Sequence, residues 1–260
     1  MPPTTPQPPA GRSLLAGRVV LVTAAAGTGI GYAAAERCVL EGARVVLSDR
    51  HERRLAEAAD RLAEPAGERP LAIPCDVTAE ADVQRMIDTV VAEHGRLDVL
   101  VNNAGLGGEA SIVEMTDEQW STVLDVTLNG TFRCTRAALR HMVARGSGAI
   151  VNNASISGWR AQAGQAHYAA AKAGVMALTR CAALDVAASG VRVNAVSPSL
   201  ARHPHLAKTS SEELLAGLAT REAFGRAAEP WEVATVIAFL ASNYASYMTG
   251  EVVSVSSQHP

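Results

Sequence analysis

The chain has 260 residues and a formal net charge of −3, with 48% hydrophobic and 19% charged residues. That apolar fraction excludes a disordered protein, and the mildly acidic balance leaves no footprint for nucleic acid or an anionic membrane. No uncharged apolar run nears the ~18 residues that span a bilayer, and the amino end lacks the charged-then-apolar pattern of a signal peptide. Arginine supplies nearly all the positive charge: Lys172 and Lys208 are the two lysines among 23 basic residues. The four cysteines, Cys38, Cys75, Cys134 and Cys181, form no CxxC pair. They read as small buried hydrophobes in a reducing cytoplasm rather than as disulfides or a zinc site.

Met1 to Pro9 hold five of the twelve prolines, so residues 1–14 are expected to be a flexible tail ahead of one domain over 15–260. The first strand is Val19 to Thr23. A Gly-rich stretch leads into a helix from about Ile30 to Glu41, ended by Gly42, and Arg44 to Ser48 closes a βαβ unit. Helices over His51 to Ala63 and Ala79 to His94 alternate with strands at Leu71 to Cys75 and Leu97 to Val101. Val83, Met86, Ile87 and Val90 give the second of these helices its apolar face. One long helical region runs from about Asp117 to Arg145, followed by a strand at Ile150 to Asn152. A helix over Ala166 to Ala188 precedes the strand Val191 to Val196. The stretch Ser197 to Thr220 has no clean strand pattern and reads as an insertion, and about 197–225 is expected to form a substrate lid. Pro230 can start a helix through Leu240, and Val252 to Val255 is the last strand. Short apolar strands alternating with helices predict an α/β fold, a doubly wound parallel sheet covered on both faces.

Two stretches carry chemistry. TAAAGTGIG, Thr23 to Gly31, joins a strand to a helix inside the βαβ unit. Gly27, Gly29 and Gly31 let a dinucleotide pyrophosphate approach the backbone and the free N–H groups of a helix start, although an ordinary turn has the same composition. Asp49 follows at the end of the second strand, where a carboxylate accepts both ribose hydroxyls of NAD and repels the 2′-phosphate of NADP. It also suits a helix cap. Arg50 can meet a 2′-phosphate, so the pair favours NAD(H) over NADP(H) without closing the question. The second stretch, HYAAAKAG, sets Tyr168 and Lys172 on one helix face. An ammonium beside the phenol, with a positive nicotinamide ring, favours the phenolate and suits proton exchange with a carbinol oxygen. Chance would supply such a pair only about 0.03 times in this chain, which weighs against coincidence. Ser155 lies just past a strand at the carboxyl edge, where its hydroxyl can meet a substrate oxygen or simply serve a turn.

The Gly-rich turn, Asp49, CDVT at 75–78, NNAG at 102–105, Ser155, the Tyr168–Lys172 pair and RVNAVSP at 192–198 occur in one order. Together they resemble the short-chain dehydrogenase/reductase family over nearly the whole chain after Leu15. The resemblance implies a seven-stranded Rossmann fold in the order 3-2-1-4-5-6-7, a nicotinamide cofactor and a homotetramer. It places Thr23, Ala24, Gly27, Thr28, Gly29 and Ile30 at the pyrophosphate, and Asp49 and Arg50 at the ribose. It places Asp76 and Val77 at the adenine and Asn103, Ala104 and Gly105 along the adenosine side. Tyr168, Lys172 and Pro198 fall at the nicotinamide end. Four departures stand out. Ala24 replaces a usual Gly in a turn one residue longer than usual. Thr127 stands where the family has a catalytic Asn, so Thr127, a water or a shifted helix is expected to take that place in the proton relay, with Asn129 on another helix face. Pro198-Ser199 replaces Pro-Gly, with His203 at a following Thr position. Ser256-Ser257-Gln258 replaces Asp-Gly-Gly.

TAAAGTGIG at 23–31, NNASISGWRAQ at 152–162, SPSLARH at 197–203, EAFGRAAEPWEVA at 222–234 and the closing QHP together also resemble an actinobacterial subgroup of steroid catabolism, which implies a hydrindane propionate from steroid rings C and D, with a CoA thioester as its form. Trp159 reads as either core packing or a pocket wall, with the wall favoured. Arg160, Arg202 and His203, with His205 and Lys208, can meet a carboxylate or CoA phosphates, or stay as solvated loop charges. The His203 and His205 pair has no third ligand at a metal-binding spacing, so no metal is expected. The alternatives are a 3-oxoacyl-thioester reductase and, in another class, a catalytically weak nucleotide-binding sensor or scaffold.

Overall fold

The computed structural model describes residues 6–160, 162–202, 217, 219, 220 and 222–257. Its strands are β1 (Val19–Thr23), β2 (Arg44–Asp49), β3 (Leu71–Pro74), β4 (Val99–Asn102), β5 (Gly148–Asn153), β6 (Val191–Pro198) and β7 (Val252–Val255). They pair in parallel in the order β3-β2-β1-β4-β5-β6-β7. The long helices among the described residues are α1 (Ile30–Leu40), α2 (Glu52–Ala66), α3 (Glu80–His94), α4 (Asp117–Leu124), α5 (Gly130–Arg145), α6 (Ala166–Val186) and α7 (Pro230–Ala241).

Strand alternation feeds two apolar layers, because successive side chains point to opposite faces. Val20 and Val22 join Ala34, Leu55 and Ile237 on the side of α1, α2 and α7, while Val19 and Leu21 join Ile87, Met142 and Ala183 on the side of α3, α5 and α6. Aromatics make up only 4% of the chain. Close approach fills the space instead: α1 packs on α7 through alanines such as Ala34, Ala234 and Ala238. Pro230 starts α7 as expected, in a capping box of Glu229 and Glu232, and Arg226 holds Glu232 with two hydrogen bonds of 2.7 and 2.9 Å.

The arginines do structural work that the planar guanidinium fork suits. Buried Asp98, at the amino edge of the sheet, accepts from Arg96 at 2.6 Å, Arg145 at 2.7 Å and the Val19 amide at 2.9 Å. These donors outweigh burial and hold its carboxyl below the usual range. Arg192 donates to the carbonyls of Leu240 and Ser242, closing the end of α7.

Three expectations are corrected. The expected tail is tied down from Pro9, whose carbonyl accepts from Arg37, while the Arg12 and Leu14 amides donate to Glu41. The expected single helix over 117–145 is broken by a π-helical turn, Asp125–Asn129, between α4 and α5. Gly130 is required just after that turn, because a Cβ there would come within 2.6 Å of Val77. Cys181 is exposed, unlike Cys38, Cys75 and Cys134.

Candidate active site

The site lies at the carboxyl edge of the sheet, and its first wall is the turn between β1 and α1. The Thr23 hydroxyl accepts from the amides of Asn103 at 2.9 Å and Ala104 at 3.1 Å, pinning the NNAG segment after β4 to the turn. Its oxygen is therefore spent on the backbone. Ala24 adopts φ of +50°, the left-handed region that favours glycine. The longer turn thus keeps a glycine-like corner at the position where the family pattern has glycine. Ala24→Gly is expected to stabilise the fold by about 1 kcal/mol, seen as a higher Tm; a lower Tm would show that this corner is unstrained.

The turn leaves a cradle. At Gly31 a Cβ would lie 2.3 Å from the Ala24 carbonyl oxygen and 2.4 Å from Asn103 Nδ2. Gly29 caps α1 without a side-chain bond, and the first turn of α1 has no acidic residue. The first amides of α1 therefore have no side-chain competitor for an anion, and the residues present fit a dinucleotide pyrophosphate. Thr28 is exposed, and Gly27 and Ile30 are partly buried. Arg61 of α2, which sequence reasoning missed, donates to the Gly27 carbonyl and lies 4.2 Å over the Tyr32 ring. No spacing signal marks it, because the contact spans 34 residues.

At the adenosine end Asp49 is buried and already occupied in part. It accepts from the Ala26 amide at 3.2 Å and the His51 amide at 2.9 Å, so it orders the Gly-rich turn and the start of α2 at once. Burial raises its carboxyl above the usual range, with the Ala26 amide and the Arg54 and Arg50 charges opposing. Arg50 is exposed. It lines a groove of about 430 Å³ with His51, Pro74, Cys75, Asp76 and Arg85. Asp76 accepts from the Thr78 amide and hydroxyl, and buried Val77 packs toward Gly130.

Ser155, Tyr168, Lys172 and Thr127 gather at the other end. Ser155 follows β5, accepts from the Ser157 amide at 3.2 Å and hydrogen-bonds the Tyr168 side chain. Lys172 Nζ donates to the Asn153 carbonyl and lies 5.7 Å from the Tyr168 ring centre. Gly105 faces this group: a Cβ there would sit 3.5 Å from Lys172 Nζ and 3.8 Å from Thr127 Oγ1. Gly158 is the constrained glycine here, since its Cβ would meet Met176 at 2.8 Å and the Ala173 backbone nitrogen at 3.0 Å, so the Ser155 turn sits directly on α6. A buried amide chain steadies the same helix. Thr135 of α5 accepts from Asn102, Asn102 donates to Asn152, and Asn152 donates to Thr179, two turns beyond Lys172.

Desolvation works against the expected phenolate. Burial raises the Tyr168 phenol, opposed by the Ser155 hydrogen bond. Burial also pushes Lys172 down to about 8. Both groups are removed from water, and desolvation favours the neutral form of each. Thr127 departs too. Its hydroxyl accepts from the Leu106 amide at 2.9 Å and donates to the Leu106 carbonyl at 3.1 Å, and its own carbonyl accepts from Thr131. Those bonds fix the loop after β4. Asn129 bonds Asp125 on an exposed face.

On the substrate side, Pro198 ends β6 beside Ser155, as Ala154 donates to the Val196 carbonyl. Trp159 is 51% exposed, so it is not core packing. Arg160 is partly buried. Arg202 is exposed and lies 3.6 Å from Glu229, so its charge already has a partner. His203, His205 and Lys208 lie outside the described residues. Buried Glu222, which sequence reasoning did not single out within EAFGRAAEPWEVA, accepts from Ser199 and Ser257.

A doubly wound parallel sheet with a Gly-rich turn and a Ser, Tyr and Lys group at its carboxyl edge defines a dinucleotide-dependent oxidoreductase. The family model described as enoyl-(acyl carrier protein) reductase matches residues 24–257. The (5R,7aS)-5-hydroxy-7a-methyl-1-oxo-2,3,5,6,7,7a-hexahydro-1H-indene-carboxyl-CoA reductase of Mycobacterium tuberculosis is 63% identical over 256 residues, 98% of each chain. The cis-4-hydroxycyclohexanecarboxylate dehydrogenase of Sinomonas cyclohexanicum is 46% identical over 92% of this chain and 94% of its own. The crystal structure of a short chain dehydrogenase from Mycobacterium smegmatis superposes with a TM-score of 0.88 at 58% identity, covering 99% of both chains. The chain belongs to the short-chain dehydrogenase/reductase family, whose members use a nicotinamide cofactor, and it is an oxidoreductase of hydroxyl and keto groups.

Proposed function

We propose that the protein is an NAD(H)-linked dehydrogenase/reductase that interconverts a secondary alcohol and a ketone on a bicyclic, CoA-linked substrate of steroid-ring breakdown. The observation that carries the chemistry is the meeting of Ser155, Tyr168 and Lys172 beside the cradle at Gly31. The 63% identity to a hydroxy-indene carboxyl-CoA reductase supports the substrate reading.

In this reading Ser155 orients the carbinol or carbonyl oxygen, and Tyr168 gives or takes its proton. Lys172, anchored on the Asn153 carbonyl, holds a nicotinamide ribose. A bound nicotinamide supplies the hydride acceptor or donor and, when oxidised, a positive charge. Thr127 acts by fixing Leu106, and Gly105 leaves room for Lys172. The amides at the start of α1 hold the pyrophosphate, and Asp49 takes the ribose hydroxyls with the acceptor capacity its two amide bonds leave. Trp159 and Arg160 border the substrate. The buried, unpaired thiols of Cys38, Cys75 and Cys134 suit a reducing cytoplasm, and no helix among the described residues is long and apolar enough to cross a membrane. A homotetramer completes the reading, checked by light scattering.

The test is initial rates with NAD and NADP over a bicyclic hydroxy-acid CoA thioester, its free acid and 3-hydroxybutyryl-CoA. The bicyclic thioester with NAD is expected to lead in kcat/KM by about tenfold or more. Faster turnover of the short acyl thioester would instead support a 3-oxoacyl-thioester reductase. Higher rates with NADP would reassign Arg50, and NADH binding without any turnover would support a sensor.

A further inference from the structure

One side chain draws together the segments that leave the sheet after β6 and β7. Glu222 is 3% exposed. Its Oε2 accepts from the Ser199 hydroxyl at 3.0 Å and the Ser257 hydroxyl at 2.9 Å, and its Oε1 accepts from the Leu200 amide at 3.3 Å. Backbone bonds run between the same segments: Ser199 N–H to Val255 at 3.2 Å, Ala223 N–H to Ser257 at 2.9 Å and Ala228 N–H to Leu200 at 2.8 Å. Stretches 198–202, 222–228 and 255–257 thus share one buried carboxyl group. The first of them starts beside the Ser155 turn, because Asn153 and Val196 are register partners and Pro198 is two residues on.

We infer that Glu222 is a substrate-positioning residue, which sets the course of Pro198–Arg202 past Ser155 by tying Ser199 to Ser257. A buried carboxyl is costly to strand, so it holds its donors at one spacing or moves toward water. Both hydroxyls stand where the family pattern has glycine, which offers no donor. The two departures after β6 and β7 are therefore one device, invisible until Glu222 is seen between them. The inference rests on Ser155 and Tyr168 marking the place of the reacting carbinol.

The test compares the full-length protein with Glu222→Ala, Ser199→Ala, Ser257→Ala, the serine double variant and Ser257→Thr. KM, kcat and the NADH Kd are measured on the best alcohol of the panel above and on cyclohexanol. Glu222→Ala and the serine double variant are expected to raise KM for the best alcohol about tenfold, with kcat within about threefold and the Kd unchanged. Cyclohexanol, too small to reach the loop, is expected to change little, and Ser257→Thr to keep the wild-type KM. A purely structural role would lower Tm and leave the KM ratio of the two alcohols unchanged, which overturns the inference. If Glu222→Ala does not fold, the serine double variant gives the answer. A different preferred alcohol overturns only the substrate reading, because the KM comparison is made on that alcohol. An unchanged KM overturns only the role of Glu222. Absence of turnover on every alcohol overturns both.

Discussion

Tyr168→Phe is expected to lower kcat by about a thousandfold while leaving the NADH Kd within about twofold, because general acid–base catalysis typically contributes 10²–10⁴. Phenylalanine keeps the ring that packs near Gly107 and loses the hydroxyl that bonds Ser155. The pH dependence sharpens the test. Burial raises the phenol above its ordinary value, so Tyr168 is protonated at neutral pH and ready to donate during ketone reduction. Alcohol oxidation needs the phenolate. Its kcat/KM should rise about tenfold per pH unit below the operative pKa, while reduction stays flat over the same range. Turnover retained by the variant, or oxidation independent of pH from 6 to 9, would remove Tyr168 from the proton-transfer role.

Lys172→Met is expected to abolish turnover and raise stability together. Lys172 is 4% exposed, and burial lowers its pKa from 10.5 to about 8. Between those values the folded protein binds fewer protons than the unfolded chain, so wild-type stability rises with pH across the window 8 to 10.5. Below pH 8 both states are protonated and the cost of burying the charge is complete, on the order of 3 kcal/mol. Methionine carries no such cost, although it leaves the Asn153 carbonyl without its donor. The variant should therefore melt higher at pH 7, with the gap narrowing as pH approaches 10. A Tm below wild type at pH 7 would show that the bond to Asn153 outweighs the buried charge. Lys172→Arg should fail in catalysis for another reason: the guanidinium is wider, stays protonated and does not fit the space opposite Gly105.

A large part of the fold was legible in sequence because it follows from periodicity. Seven apolar runs set the seven strands, Pro230 set the start of α7, and Gly42 stands just past the turn that ends α1. The boundaries drifted where periodicity is silent. The π turn at 125–129 depends on a bond from Thr131 to the Thr127 carbonyl and on the close approach of Val77 to Gly130. Neither leaves a mark in hydropathy. The docking of residues 9–14 depends on Arg37 and Glu41, an i,i+4 ion pair whose burial no local spacing reveals.

The chemical identities at the site were legible for a similar reason. A Gly-rich turn after a strand and a Tyr and Lys one helical turn apart are local patterns, and the scarcity of lysine made Lys172 conspicuous. What local pattern could not fix is how each group is spent. Thr23 and Thr127 read as contacts to cofactor or proton relay, yet their hydroxyls hold loop backbone. Arg202 read as a substrate cation, yet it faces Glu229. The raised phenol of Tyr168 and the lowered ammonium of Lys172 come from desolvation, a property of everything packed around them. The sequence by itself determined the elements, the layers and the residue types brought to the carboxyl edge, because those depend on short-range spacing. Only the tertiary structure decided the hydrogen-bond partners, the protonation tendencies and the joining of Ser199 to Ser257 through Glu222, because each depends on burial among residues far apart in the chain.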